Sequence, residues 1–127
     1  MTVFSSVTDA NGYVIPDRIN GNFGYLAPTT VTIATGAVTV NSLVHYIAGE
    51  GATTDALDTI NGGKVGQKLV LLPASTGYVV TVNAMGSGNI SMPASVALTY
   101  TYSNISLLCT STGAAGTKAW VMLSKTT

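Results

Sequence analysis

At 127 residues the chain has room for one domain with its own core, and five basic against five acidic residues leave a formal net charge of zero. Charged side chains make up only 8% of the chain, where an ordinary soluble domain carries roughly a quarter. There is no basic stripe to meet phosphates and no charge bias to meet a lipid surface, so neither nucleic acid nor a membrane is expected as a partner.

Thr, Ser, Asn and Gly wet this surface instead. Hydroxyls and amides that find a partner are far cheaper to bury than charges, so the composition suits a protein packed against other proteins. The N-terminus, Met1 to Gly12, has neither a basic leader nor an apolar signal core, and no apolar run reaches the length of a membrane span. The single cysteine, Cys109, excludes an internal disulfide and fits folding in a reducing cytosol.

Residues 1–28 form the first segment in chain order. Thr8-Asp9-Ala10-Asn11-Gly12 and Asn20-Gly21-Asn22-Phe23-Gly24 are turn clusters, and Pro16 and Pro28 interrupt anything longer. Scattered among them are Phe4, Tyr13, Ile15, Phe23 and Tyr25. Such a pattern is too irregular for a helix and too apolar for a disordered tail. It predicts an extended arm that docks on its own domain, a sister subunit or a foreign surface.

From Thr29 onward, short β-type runs follow one another. Val31 and Ile33 alternate with threonines, and Gly36 turns the chain into Val38 and Val40. Further runs are Leu43–Ala48, Lys68–Leu72, Tyr78–Val82, Ile90–Met92, Val96–Tyr102, Ile105–Cys109 and Ala119–Leu123. Lys68–Leu72 is nearly all apolar, as in a strand buried on both faces. About eight strands with a turn signal roughly every ten residues predict an all-β sandwich or jelly roll over residues 29–127. One helical candidate interrupts them, Thr54–Ile60, with a Thr cap, Asp55 near its start and Asn61-Gly62-Gly63 to end it.

Candidates for chemistry are few. Cys109 ends an apolar run and reads as a small buried hydrophobe, since a catalytic thiol would need a base and the chain has only His45. His45 itself reads as a structural or interface residue, because no partner for general-base work is visible beside it. A zinc site would need more His or Cys than exist. Glu50, Asp55 and Asp58 are the one carboxylate cluster; capping and loop hydrogen bonds come first, calcium second and catalysis last, and the spacing is not that of an EF-hand. Tyr100, Tyr102 and Trp120 read as core and inter-subunit packing, with a sugar-stacking platform as the alternative. Gly86-Ser87-Gly88 is a turn; no helix follows it to make a phosphate loop. No cofactor, no metal and no catalytic residue is expected.

Residues 36–124 resemble a module that recurs in virion proteins of tailed bacteriophages: head decoration proteins, head fibres and tail fibres. The resemblance is carried by Gly36–Ala48, by Ala52–Gly63 with its Asp55-Ala56-Leu57-Asp58-Thr59-Ile60-Asn61-Gly62-Gly63 core, by Gly66–Ala74, by Gly88-Asn89-Ile90 and by the closing Trp120-Val121-Met122-Leu123. It implies a trimeric, tulip-like β-sandwich on the virion surface, with no enzymatic role. In it Asp55–Gly63 is a structural corner: Leu57 and Ile60 enter the core, Asp55 and Asp58 bond loop amides, Asn61 leads into the exit, and Gly62-Gly63 allow positive φ. Trp120 plugs one end.

The expected function is that of a capsid decoration or cement protein, made in the host cytoplasm and placed on the capsid surface, bridging capsomers and stabilising the head. The arm, through Phe4, Tyr13, Ile15, Phe23 and Tyr25, is expected to dock on the major capsid protein; His45, Tyr100 and Tyr102 are expected at the homotrimer interface. A chain beginning at Met1 and lacking a shaft repeat favours this over a fibre. The alternative is a receptor- or glycan-binding module of a head fibre, tail fibre or baseplate.

Overall fold

The computed structural model describes residues 27–51, 53–84, 88–111 and 119–127, and every statement on structure concerns these. Phe4, Tyr13, Ile15, Phe23 and Tyr25 lie outside them, as does nearly all of the expected arm. The described residues are all-β, with eleven strands: β1 Thr29–Thr32, β2 Ala37–Thr39, β3 Val44–Ala48, β4 Thr54–Leu57, β5 Thr59–Asn61, β6 Lys68–Pro73, β7 Val79–Val82, β8 Ile90–Ser91, β9 Val96–Leu98, β10 Asn104–Cys109 and β11 Trp120–Thr126.

They form a two-layer sandwich. One layer is a six-stranded mixed sheet, β1-β3-β6-β10-β11-β8; the other is made of β4-β7-β9 and the pair β2-β5. Between them His45 and Ile47 of β3, Leu69 and Leu71 of β6, Ile105, Leu107 and Cys109 of β10 and Trp120 of β11 meet Val38, Leu57, Ile60, Val80, Val82, Val96 and Leu98. Period-two alternation selects these residues, because successive side chains of a strand point to opposite faces. Cys109 is buried and free, as its apolar run predicts.

The helix expected over Thr54–Ile60 is not formed; the segment is β4, a break at Asp58, and β5. Asp58 N–H (2.8 Å) and Thr59 N–H (3.1 Å) both donate to the Gly36 carbonyl. Two successive amides on one acceptor make a β-bulge, and a bulge shifts the alternation by one residue. Leu57 and Ile60, which an unbroken strand would point to opposite faces, both enter the core. An i, i+3 apolar pair is thus produced by a kinked strand and imitates a helical stripe.

Asn89 closes the corner from the other side. Its Oδ1 accepts from Ile60 N–H (2.9 Å) and its Nδ2 donates to the Ile60 carbonyl (2.8 Å), while Trp120 Nε1–H donates to the same carbonyl (3.1 Å). The Asn89 carbonyl in turn accepts from Ala119 and Trp120 N–H, both at 3.0 Å. Gly62 has φ +84° and lies against the Val40 backbone, and Gly63 lies under the Trp120 ring with no room for a Cβ.

Candidate functional site

The expected site residues separate into three places. The corner behaves largely as its residue types require: Asp55 accepts from Glu50 N–H (2.7 Å) and Ala56 N–H (2.8 Å). Asp58 differs, since its carboxylate accepts from the Asn83 side-chain amide (2.8 Å) and not from a loop amide. Glu50 accepts from Thr35 N–H (2.9 Å). Each carboxylate of the cluster therefore serves a different loop, and no group of three or more His, Cys, Asp or Glu side chains that could hold a metal ion occurs among the described residues. Asn61 is exposed, and its carbonyl accepts from Val40 N–H (2.9 Å).

His45 is not at a surface. Its ring is fully buried within its own chain, so a side-chain contact with a sister subunit is corrected to a structural role. Asn41 and Ser42 N–H both donate to Nε2 at 3.2 Å. Nδ1 therefore carries the proton and donates to the Thr29 carbonyl at 3.1 Å, with the Thr29 hydroxyl at the same distance. One imidazole thus ties the start of β1 to the turn that leads into β3.

Tyr100 and Tyr102 do not alternate along a strand; β9 ends at Leu98, and both sit in the turn before β10. They are 51% and 59% exposed, and their rings stack with centroids 5.2 Å apart and planes 8° from parallel. Ser103 N–H donates to the Tyr100 carbonyl (2.8 Å) and Tyr100 N–H to Ser103 Oγ (3.1 Å), which fixes the turn. Trp120 is buried.

Two surfaces stand out that residue-by-residue reading did not resolve. The first is the outer face of the six-stranded sheet. The inward set of β3, β6 and β10 leaves Val44, Tyr46 and Ala48, then Lys68, Val70 and Leu72, then Asn104, Ser106 and Leu108 facing out. Register aligns Tyr46 with Leu72, Val44 with Val70, Val70 with Ser106, and Leu108 with Val121 of β11. Among the outward residues of β3, β6 and β10 Lys68 is the one charge, β11 carries the exposed Lys125, and no further described layer covers the face. Outer faces of sandwiches normally alternate to polar residues. Here they do not.

The second surface is a groove of about 460 Å³, mostly apolar, lined by Asn41, Ser42, Leu43, Gly62, Lys64, Val65 and Gln67. Leu43 and Val65 are 53% and 67% exposed beside it. A smaller cleft of about 80 Å³ adjoins Trp120 and Gly63, well below the roughly 300 Å³ at which small-molecule pockets begin.

Comparison with family models, with characterised proteins and with solved structures finds no match to this chain. No helix among the described residues is long and apolar enough to cross a membrane.

Proposed function

We propose that this chain is a virion structural protein, a capsid decoration or cement protein, and that it acts by contact and not by catalysis. Three copies associate through the outer faces of their six-stranded sheets. The resulting trimer sits on the capsid surface and bridges capsomers, with arm residues such as Phe4, Tyr13 and Ile15 reaching the major capsid protein. The observation that carries the reading is the apolar side chains on the outer face, Val44 and Tyr46 beside Val70 and Leu72 on β3 and β6, and Leu108 beside Val121 on β10 and β11, with a single lysine among the outward residues of β3, β6 and β10. The parallel pairs β1/β3 and β3/β6 add to it, because parallel strands are rarely left open to water. A stable contact between proteins takes about 800 Å² per partner, and a face six strands wide offers area of that order. The virion assignment is supported by the resemblance over residues 36–124.

The test has two arms. Light scattering on purified protein should give a trimer, and Leu72→Lys should give a monomer with unchanged circular dichroism. The wild-type protein should co-sediment with empty capsids and raise their melting temperature. A wild-type monomer would sink the sheet-face contact, and capsids that ignore a trimer would sink the decoration role.

The stacked, exposed Tyr100–Tyr102 pair favours a second reading, a glycan- or receptor-binding module. Retention of the protein on host cells or glycan arrays, lost in Tyr102→Ala, would select it.

A further inference from the structure

We propose that this protein associates end to end, the stacked Tyr100–Tyr102 pair of one copy entering the groove beside Leu43 and Val65 of the next. Topology sets these two features at opposite ends of the sandwich. The groove is lined by the residues that lead into β3 and β6, Asn41 to Leu43 on one side and Lys64, Val65 and Gln67 on the other. β10 runs antiparallel to β6 with Ile105 opposite Leu71, so the turn that carries the tyrosines sits beside the far end of β6. That strand is six residues long, which separates the two features by about 20 Å. One copy therefore cannot fill its own groove with its own tyrosines.

The chemistry of the two ends matches. Among the described residues five large apolar side chains are more than half exposed, Leu43, Val65, Tyr100, Tyr102 and Leu123, and the first four are at these ends. Polar groups of the groove are occupied internally: Gln67 Nε2 donates to the Ser42 carbonyl and Gln67 Oε1 accepts from Lys64 N–H, both at 3.1 Å. Leu43, Val65 and the exposed Lys64 side chain are left to meet an occupant. An aromatic ring suits that set, since its body packs on aliphatic walls and its face attracts an ammonium. The tyrosines are also fixed before they dock. Each ring backs the other, and two bonds between Tyr100 and Ser103 hold their turn. An anchor ordered in advance loses little entropy on binding.

Charge selects a second copy as the occupant. Among the described residues the groove end carries Lys64 and Lys68 and no carboxylate. The opposite end carries Glu50, which follows β3, Asp55, which accepts from Glu50 N–H, and Asp58 beside the Gly36 turn, against Lys125 alone. Stacking head to tail brings the lysines of one copy toward the carboxylates of the next, whereas joining like ends sets charges of one sign together. The contact is heterologous, so it repeats from copy to copy and builds strings or rings. It uses neither outer face of the sandwich and is separate from the sheet-face trimer, whose ends still present the grooves and the tyrosine pairs.

The test is sedimentation velocity of the full chain from about 10 μM to about 1 mM, the range suited to a contact smaller than a standard interface. Mass should rise with concentration above that of the dilute unit, whether monomer or trimer, so failure here is distinct from failure of the sheet-face contact. Val65→Glu blocks the groove, and Tyr100→Ser with Tyr102→Ser removes the aromatic pair. Each of these proteins should associate about tenfold or more weakly, as expected when an apolar side chain loses its burial. Mixed together they should associate again, because one keeps the tyrosines and the other keeps the groove. Leu43→Glu and Tyr102→Ala are second variants of the two ends, and an unchanged urea midpoint checks that each protein is folded. A wild-type mass constant up to about 1 mM would overturn the proposal. So would association that survives in both classes of variant, which assigns it to another surface, or a mixture that stays apart.

Discussion

Asn89→Ala should cost more than any surface change in this protein. The side chain supplies both an acceptor to Ile60 N–H (2.9 Å) and a donor to the Ile60 carbonyl (2.8 Å), and both bonds are buried. After truncation the carbonyl keeps Trp120 Nε1–H as partner, but the Ile60 amide has none. A buried amide left unpaired costs about 1–3 kcal/mol, and the second bond about 1 kcal/mol more. The expected loss is therefore about 2–4 kcal/mol, against a total of about 5–15 kcal/mol for a domain. With a urea slope near 2 kcal/mol/M the midpoint should fall by about 1–2 M. Trp120, the one tryptophan of the chain, is buried at this corner and reports the transition by fluorescence. Asn89→Asp should be at least as damaging, because it keeps the acceptor but turns a second oxygen toward the Ile60 carbonyl. An Asn89→Ala midpoint within about 0.3 M of wild type would refute the reasoning.

Thr35 has φ +53° and precedes Gly36 at φ +76° in a two-residue turn closed by reciprocal bonds between Ala34 and Ala37. A left-handed β-branched residue is strained, whereas Asn-Gly is the preferred pair for such a turn. Thr35→Asn should therefore stabilise by about 0.5–1 kcal/mol, seen as a higher urea midpoint; a lower midpoint would contradict it. Gly63→Ala drives a methyl into the Trp120 ring at Cζ2, and displacing that ring should cost about 1–3 kcal/mol with a changed near-UV spectrum. His45→Leu removes the acceptor shared by the Asn41 and Ser42 amides. It should lower stability by about 2–4 kcal/mol in urea unfolding and leave those amides open to rapid hydrogen exchange.

Much of this architecture is legible in the sequence because alternation is a local property. Val38, Leu69, Leu71, Ile105, Leu107 and Cys109 are inward on a period of two, and Gly36 marks its turn. The corner Asp55–Gly63 is legible in its roles but not in its conformation. A bulge at Asp58 needs the Gly36 carbonyl from a distant turn, and nothing in residues 54–60 encodes that acceptor. His45 and Asn89 were hidden for the same reason. Asn89 bonds Ile60, 29 residues away, and His45 Nδ1 bonds Thr29, 16 residues away, beyond the reach of any spacing rule, although the partners of His45 Nε2, Asn41 and Ser42, are local. Tyr100 and Tyr102 share the i, i+2 spacing of one strand face, but Ser103 folds their segment into a turn, where the same spacing permits stacking.

Lys68–Leu72 is the most informative disagreement between pattern and structure. Its residues read as a strand buried on both faces, yet within the described chain Leu69 and Leu71 are buried while Val70 and Leu72 are only half-covered. The neighbouring strands repeat the mismatch, with Val44 and Tyr46 on one side and Leu108 on the other. Burying each such side chain fully is worth about 1.5–3 kcal/mol. A row of them left in water forgoes that stabilisation and invites non-specific association. The composition closes off the usual remedy, since a chain with 8% charged residues has few to spend on a sheet face. A face whose apolar side chains are only half-covered in the folded chain, with few charges among them, is suited to the proposed contact with further copies, whose buried core would be depleted in charge.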